Sequence, residues 1–131
     1  MERREINPWT WQDNFGFSQA MEVSGHQRTL VCSGQTSVDE NGTPVNEGDM
    51  GAQINKALDN LEAVLKKADM SLSNVVRLNV YTTDVDGILP ALSVWESRLA
   101  AAGCQPACTL LGVARLFLPQ LMVELEATAV A

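Results

Sequence analysis

The sequence predicts an α+β domain, a single sheet with two helices on one face in the order β-β-α-β-α-β-β. Three observations carry that prediction. Strand-like segments with period-two alternation occur near both ends and in the middle of the chain. Two intervening stretches instead repeat their apolar residues at i, i+3, i+4 and i+7, the spacing of a helix stripe. Gly, Pro and Asn-Gly punctuation separates the segments, with no repeat, linker or low-complexity stretch. At 131 residues the chain makes one domain, 1–131, able to bury about two thirds of its chain surface in one core.

Residues 1–14 read as an extended N-terminal segment in which Trp9 and Trp11 cover an edge or a subunit seam. A first strand is predicted from Phe15 to Val23 and a second from Arg28 to Gln35. The Ser24-Gly25 turn between them would make a hairpin. His26, the only histidine, falls in that turn and is read as solvated. Asp39-Glu40-Asn41-Gly42 is a turn flanked by Val38 and Val45. From Asp49 to Asp69 the pattern is helical: Ile54, Ala57, Leu58, Leu61, Val64, Leu65 and Ala68 form the stripe. Asp49 is the N-cap, and Lys66 and Lys67 suit the C-terminal end of the dipole.

Val75 to Thr83 alternates as a strand. A second helix opens at Asp84–Asp86, carries Pro90 in its first turn and buries Ile88, Leu92, Trp95, Leu99 and Ala102 before Gly103 ends it. Pro106 precedes a strand that runs to Leu116, and Pro119 precedes the last, from Leu121 to Thr128. In that last strand Glu124 and Glu126 must leave the same face. The two helices can cover only one side of the sheet, so the carboxylate-bearing face is either wet or buried by further copies of the chain.

Composition excludes several functions. The formal charge is −7, with 9 Lys and Arg against 16 Asp and Glu, so neither a nucleic acid nor an anionic membrane is an expected partner. Cys32, Cys104 and Cys108 lie at no zinc or redox spacing, so no metal and no cofactor is predicted. They read as reduced thiols of a cytoplasmic protein. No signal peptide or membrane span is recognisable.

Pro106-Ala107-Cys108-Thr109, then Val113-Ala114-Arg115-Leu116, then Val123-Glu124-Leu125-Glu126-Ala127 resemble the C-terminal signature of the RidA/YjgF superfamily of reactive-intermediate deaminases. Cys32-Ser33-Gly34-Gln35 resembles its Ser-Gly-Gln element, and the likeness runs from about Phe15 to Ala129. It implies a chorismate-mutase-like fold, a homotrimer and ligand clefts between subunits. It also implies hydrolysis of imines or enamines by an arginine that clamps the substrate carboxylate and a glutamate that positions water. Some superfamily members have been linked to RNA cleavage, which this acidic composition does not favour.

Carried over position by position, Glu124 matches the glutamate, and Ser33, Gly34 and Gln35 match the Ser-Gly-Gln element. The clamping arginine is replaced by Cys108, the family cysteine by Leu110, the tyrosine by Phe17 and the helix asparagine by Leu92. A thiol offers one weak donor where a guanidinium offers a paired fork. Arg115 lies seven residues beyond Cys108, and strand alternation would turn it to the opposite face.

The expectation is therefore a trimeric, hydrolase-like protein that does not efficiently deaminate 2-iminobutanoate or 2-iminopropanoate. Its substrate would be a small, uncharged or weakly polar metabolite with a C=N bond and no clamped carboxylate. The alternative is a non-catalytic ligand-binding or regulatory trimer. Glu124 is the candidate base and Cys108 a candidate nucleophile. Phe17, Ser33, Gly34, Gln35, Leu92, Thr109 and Leu110 are the candidate ligand contacts.

Overall fold

The computed structural model describes residues 1–131. Its strands are β1 (Glu2–Ile6), β2 (Ala20–Ser24), β3 (Thr29–Val31) and β4 (Gln35–Thr36), followed by the helix α1 (Met50–Lys67). After α1 come β5 (Val75–Thr82), α2 (Val85–Ile88), α3 (Leu92–Ala101), β6 (Ala107–Gly112) and β7 (Val123–Val130). The main sheet is mixed, in the order β3-β7-β5-β6, with β4 continuing beside β7; β1 and β2 form a separate two-stranded ribbon. β5 runs parallel to β6 and antiparallel to β7. A parallel neighbour requires a crossover, and α2 and α3 supply it.

The core lies between one face of this sheet and the helices. Ile54, Ala57, Leu58, Leu61 and Leu65 of α1 are wholly buried against Leu78 and Val80 of β5 and Val123 and Leu125 of β7. Each such Leu or Ile contributes roughly 1.5–3 kcal/mol relative to exposure. The α1 stripe and its cap are as the periodicity predicts: Asp49 accepts a hydrogen bond from the Ala52 N–H at 3.0 Å. Gln53 is buried inside that stripe. Its side chain donates to the Gln120 carbonyl and accepts from the Met122 N–H, both at 2.9 Å, which fixes the chain where it enters β7.

The N-terminal pairing differs from the predicted hairpin. Trp11–Phe15 is a 3₁₀ turn ended by Gly16 at φ 72°, so only Ala20–Ser24 of the first predicted strand is extended. That piece pairs with Glu2–Ile6, which period alone left unassigned, and not with the second strand. Past Gly25, at φ 69°, the Gln27 and Arg28 N–H groups bond the Ala131 carbonyl, and this steers the chain onto β7. The second predicted strand is there but broken. Val31 pairs with Thr128 and Gln35 with Leu125, four residues on one strand against three on the other. One extra residue therefore sits within Cys32–Gly34, a bulge in the strand.

Pro90 interrupts the second predicted helix. It has no N–H and its ring crowds the carbonyl four residues back, so Leu89–Ala91 tightens to a 3₁₀ turn between α2 and α3. β6 ends at Gly112, four residues short of the predicted Leu116. No helix is long and apolar enough to cross a membrane.

Candidate functional site

The predicted site residues divide between the two faces of the sheet. Cys108 stands level with Leu78 and Leu110 with Val80, both core residues of β5, so both point toward the helices. Thr109, between them, must point the other way. Glu124 is level with Tyr81, and Glu126 with Asn79, on the open face. Cys108 and Glu124 therefore leave opposite sides of the sheet, and no single chain can use them on one substrate atom.

On the helix side lies a cavity of about 240 Å³ lined by Trp11, Phe15, Phe17, Leu92, Trp95, Glu96, Cys108 and Leu110. Four of the positions where the sequence departs from the resembled pattern (Phe17, Leu92, Cys108 and Leu110) meet in this one cavity. Phe17 is delivered by the short parallel bridge of Ser18 to Ala107, reinforced by the Ser18 hydroxyl donating to the Gln105 carbonyl at 2.7 Å. Leu92 is delivered by the break at Pro90, which restarts the helix there. Trp11 sits edge-on to Phe15 and to Phe17, with centroids 6.3 and 5.8 Å apart.

The Cys108 thiol is pushed up to about 11, first by burial, against a smaller opposing pull from the Arg77 guanidinium. At neutral pH such a thiol is protonated, the form that is a poor nucleophile. No arginine lines the cavity. Arg77 is on the open face, donating to Thr109 Oγ1 at 2.9 Å and Asn79 Oδ1 at 3.1 Å. Arg115 lies in the loop beyond β6, where strand alternation no longer applies. It lines a different depression, with Thr83 and Leu118.

The open face carries the second half. Asn79 Nδ2 and the Tyr81 hydroxyl both donate to Glu126 Oε1 at 3.0 Å. These two bonds, the Asn79 bond foremost, hold the Glu126 carboxyl below its ordinary value. No such donors reach Glu124, whose carboxyl is raised by partial burial and then by the neighbouring Glu126 charge. Gly34 packs against it: a Cβ there would fall 2.6 Å from Glu124 Cδ. Of the Ser33-Gly34-Gln35 element, Gly34 is the residue against Glu124; Gln35 is level with Leu125, and its amide donates to the Ser33 carbonyl at 3.4 Å. Thr109, a predicted ligand contact, lies on this open face, where its hydroxyl oxygen accepts from Arg77.

Sequence reasoning does not name Trp11, Phe15, Trp95 or Glu96 as cavity residues; it gives Trp11 an edge or a subunit seam and Trp95 the core. The available signal was compositional. Four of the chain's six Trp and Phe residues line this one cavity, and three of them fall within seven positions, 11–17. No three His, Cys, Asp or Glu side chains converge as metal ligands would.

The sequence matches the family model described as Endoribonuclease L-PSP over residues 12–131. A RutC family protein of Aquifex aeolicus is 30% identical over 114 residues, 87% of each chain. Among solved structures, a protein of unknown function from the conserved Rid family of Yersinia pestis is 37% identical. It covers 100% of both chains at a TM-score of 0.85. RidA from an Antarctic Psychrobacter is 30% identical over 88% of each chain, at a TM-score of 0.71.

Proposed function

The chain belongs to the endoribonuclease L-PSP family, the RidA/YjgF superfamily its motifs resemble, and from that premise we propose a cytoplasmic, trimeric, imine-hydrolysing protein. Its ligand is a small, largely apolar metabolite that bears a C=N bond and no carboxylate. The observation that carries this reading is the cavity itself, with seven hydrophobic residues and no guanidinium. A carboxylate buried there without a paired donor would lose several kcal/mol, to order of magnitude, so acids are disfavoured.

Glu124 of a neighbouring subunit supplies the base. A carboxyl raised above its ordinary value by partial burial and the Glu126 charge can accept a proton from water and return it to the departing nitrogen. The division of the predicted residues between two sheet faces supports a cleft assembled from two chains. RNA cleavage is not proposed, because a formal charge of −7 disfavours a phosphate backbone as partner.

The test generates imines in situ, one from benzylamine by an amine oxidase and one from 2-aminobutanoate by an amino-acid oxidase, and follows ammonia release above the spontaneous rate. Acceleration is expected for the first only, and Glu124→Gln should abolish it by about 10²–10⁴-fold. Turnover of 2-iminobutanoate at rates typical of the deaminating branch would refute the reading. A non-catalytic binding trimer is the second reading, favoured by the neutral Cys108 thiol and the missing tyrosine hydroxyl at Phe17. It predicts ligand binding with no acceleration for either imine.

A further inference from the structure

We propose that the aromatic cavity recognises an organic cation, so that the ligand enters as a protonated imine or amine, with Glu96 as its counter-ion; this deepens the reading above and rests on it. Aromatic faces attract cations through their quadrupole, best when the site is desolvated. Here Trp11, Phe15, Phe17 and Trp95 wall one small space. The interplanar angles of 70° and 71° between Trp11 and its two phenylalanine neighbours tilt the walls instead of stacking them shut.

The only charged residue of the lining is a carboxylate, Glu96. It has no cationic partner: Arg98, the nearest on its helix, is committed to Asp59 at 2.8 Å and Glu62 at 3.1 Å across on α1. A half-buried, unpaired carboxylate beside four aromatic rings is complementary to an ammonium or iminium group and repels an acid. The chain's formal charge of −7 acts in the same sense at long range.

The chemistry balances without any co-reactant but water. Water adds to the carbon of a protonated C=N group and the C–N bond breaks. The carbon leaves as a carbonyl, and the nitrogen leaves as ammonium with the proton and the positive charge. The cavity would thus hold the charge of the substrate from entry to bond cleavage.

Three probes of one shape separate the possibilities: benzylammonium, benzyl alcohol and benzoate, titrated into the full-length protein at pH 7 and followed by the indole N–H resonances of the tryptophans. Benzylammonium should bind about ten-fold more tightly than the alcohol, and benzoate more weakly than either. Glu96→Gln should remove the preference for the ammonium while leaving alcohol binding unchanged. Trp11→Leu, at an exposed position outside the core, should weaken ammonium binding more than alcohol binding. Equal binding of ammonium and alcohol would overturn the cation assignment and leave the apolar, acid-excluding reading standing. Tightest binding of benzoate, or no binding of any probe, would overturn both.

Discussion

Gly34 leaves no space for a side chain, because the carboxylate of Glu124 already occupies it. A methyl group at residue 34 would lie 2.6–2.8 Å from Cγ, Cδ and Oε2 of Glu124. Those atoms end a flexible side chain, so Gly34→Ala should swing the carboxylate aside instead of disrupting the strand. The expected stability cost is about 1 kcal/mol, at the low end for overpacking. Imine hydrolysis should fall about 10²-fold, the effect of misplacing a catalytic group by an ångström. Chemical denaturation and ammonia release measure the two separately.

Glu124 also gives a pH signature. Its folded pKa is raised, so the folded state binds more protons than the unfolded chain between the ordinary and the raised value. Its contribution therefore declines as pH rises through that window. Glu126, held low by Asn79 and Tyr81, acts with the opposite sign: its contribution is present above the ordinary carboxylate pKa and is lost as pH falls. Urea unfolding from pH 4 to 7 should show Glu124→Gln gaining on the wild type as pH rises. Cys108, with its thiol near 11, holds about one thiolate in 10⁴ at pH 7 and should react with iodoacetamide far more slowly than free cysteine.

Among the elements, those whose partners are close in sequence or whose period is long were legible. Helix α1 announces itself through seven stripe positions and a capping aspartate, and Asp49→Ala should cost it about 1 kcal/mol in thermal or urea unfolding. The breaks in the other elements were not legible, because each depends on a distant partner. Nothing within Arg28 to Gln35 reveals that one extra residue bulges at Cys32–Gly34; the register with β7 does. Nothing within Glu2–Ile6 marks a strand, for its alternation is masked by Glu2, Arg3, Arg4 and Glu5, all exposed. The site followed the same rule. Motif position names Glu124, Phe17, Leu92 and Leu110 as candidates, whereas alternation along β6 and β7 sets the faces of Leu110 and Glu124. That alternation puts Cys108 and Glu124, the two candidate catalytic residues, on opposite faces of one chain's sheet.

For the whole molecule, that division between faces has a consequence that can be measured. An apolar cavity on the helix side and a carboxylate on the open side cannot meet within one chain, so the proposed hydrolysis requires copies of the chain to associate. Light scattering should give a mass three times 14.2 kDa. The sharper expectation comes from mixing two crippled chains. Glu124→Gln retains the cavity and lacks the base; Leu92→Trp retains the base and fills the cavity, at roughly 1–3 kcal/mol of packing strain. Each alone should be inactive. Dissociated, mixed in equal amounts and reassociated, they should recover activity in about a quarter of clefts, the random fraction that pairs an intact cavity with an intact carboxylate from its neighbour. If cavity and carboxylate worked within one chain, no mixture would recover anything, because every chain would carry one of the two defects.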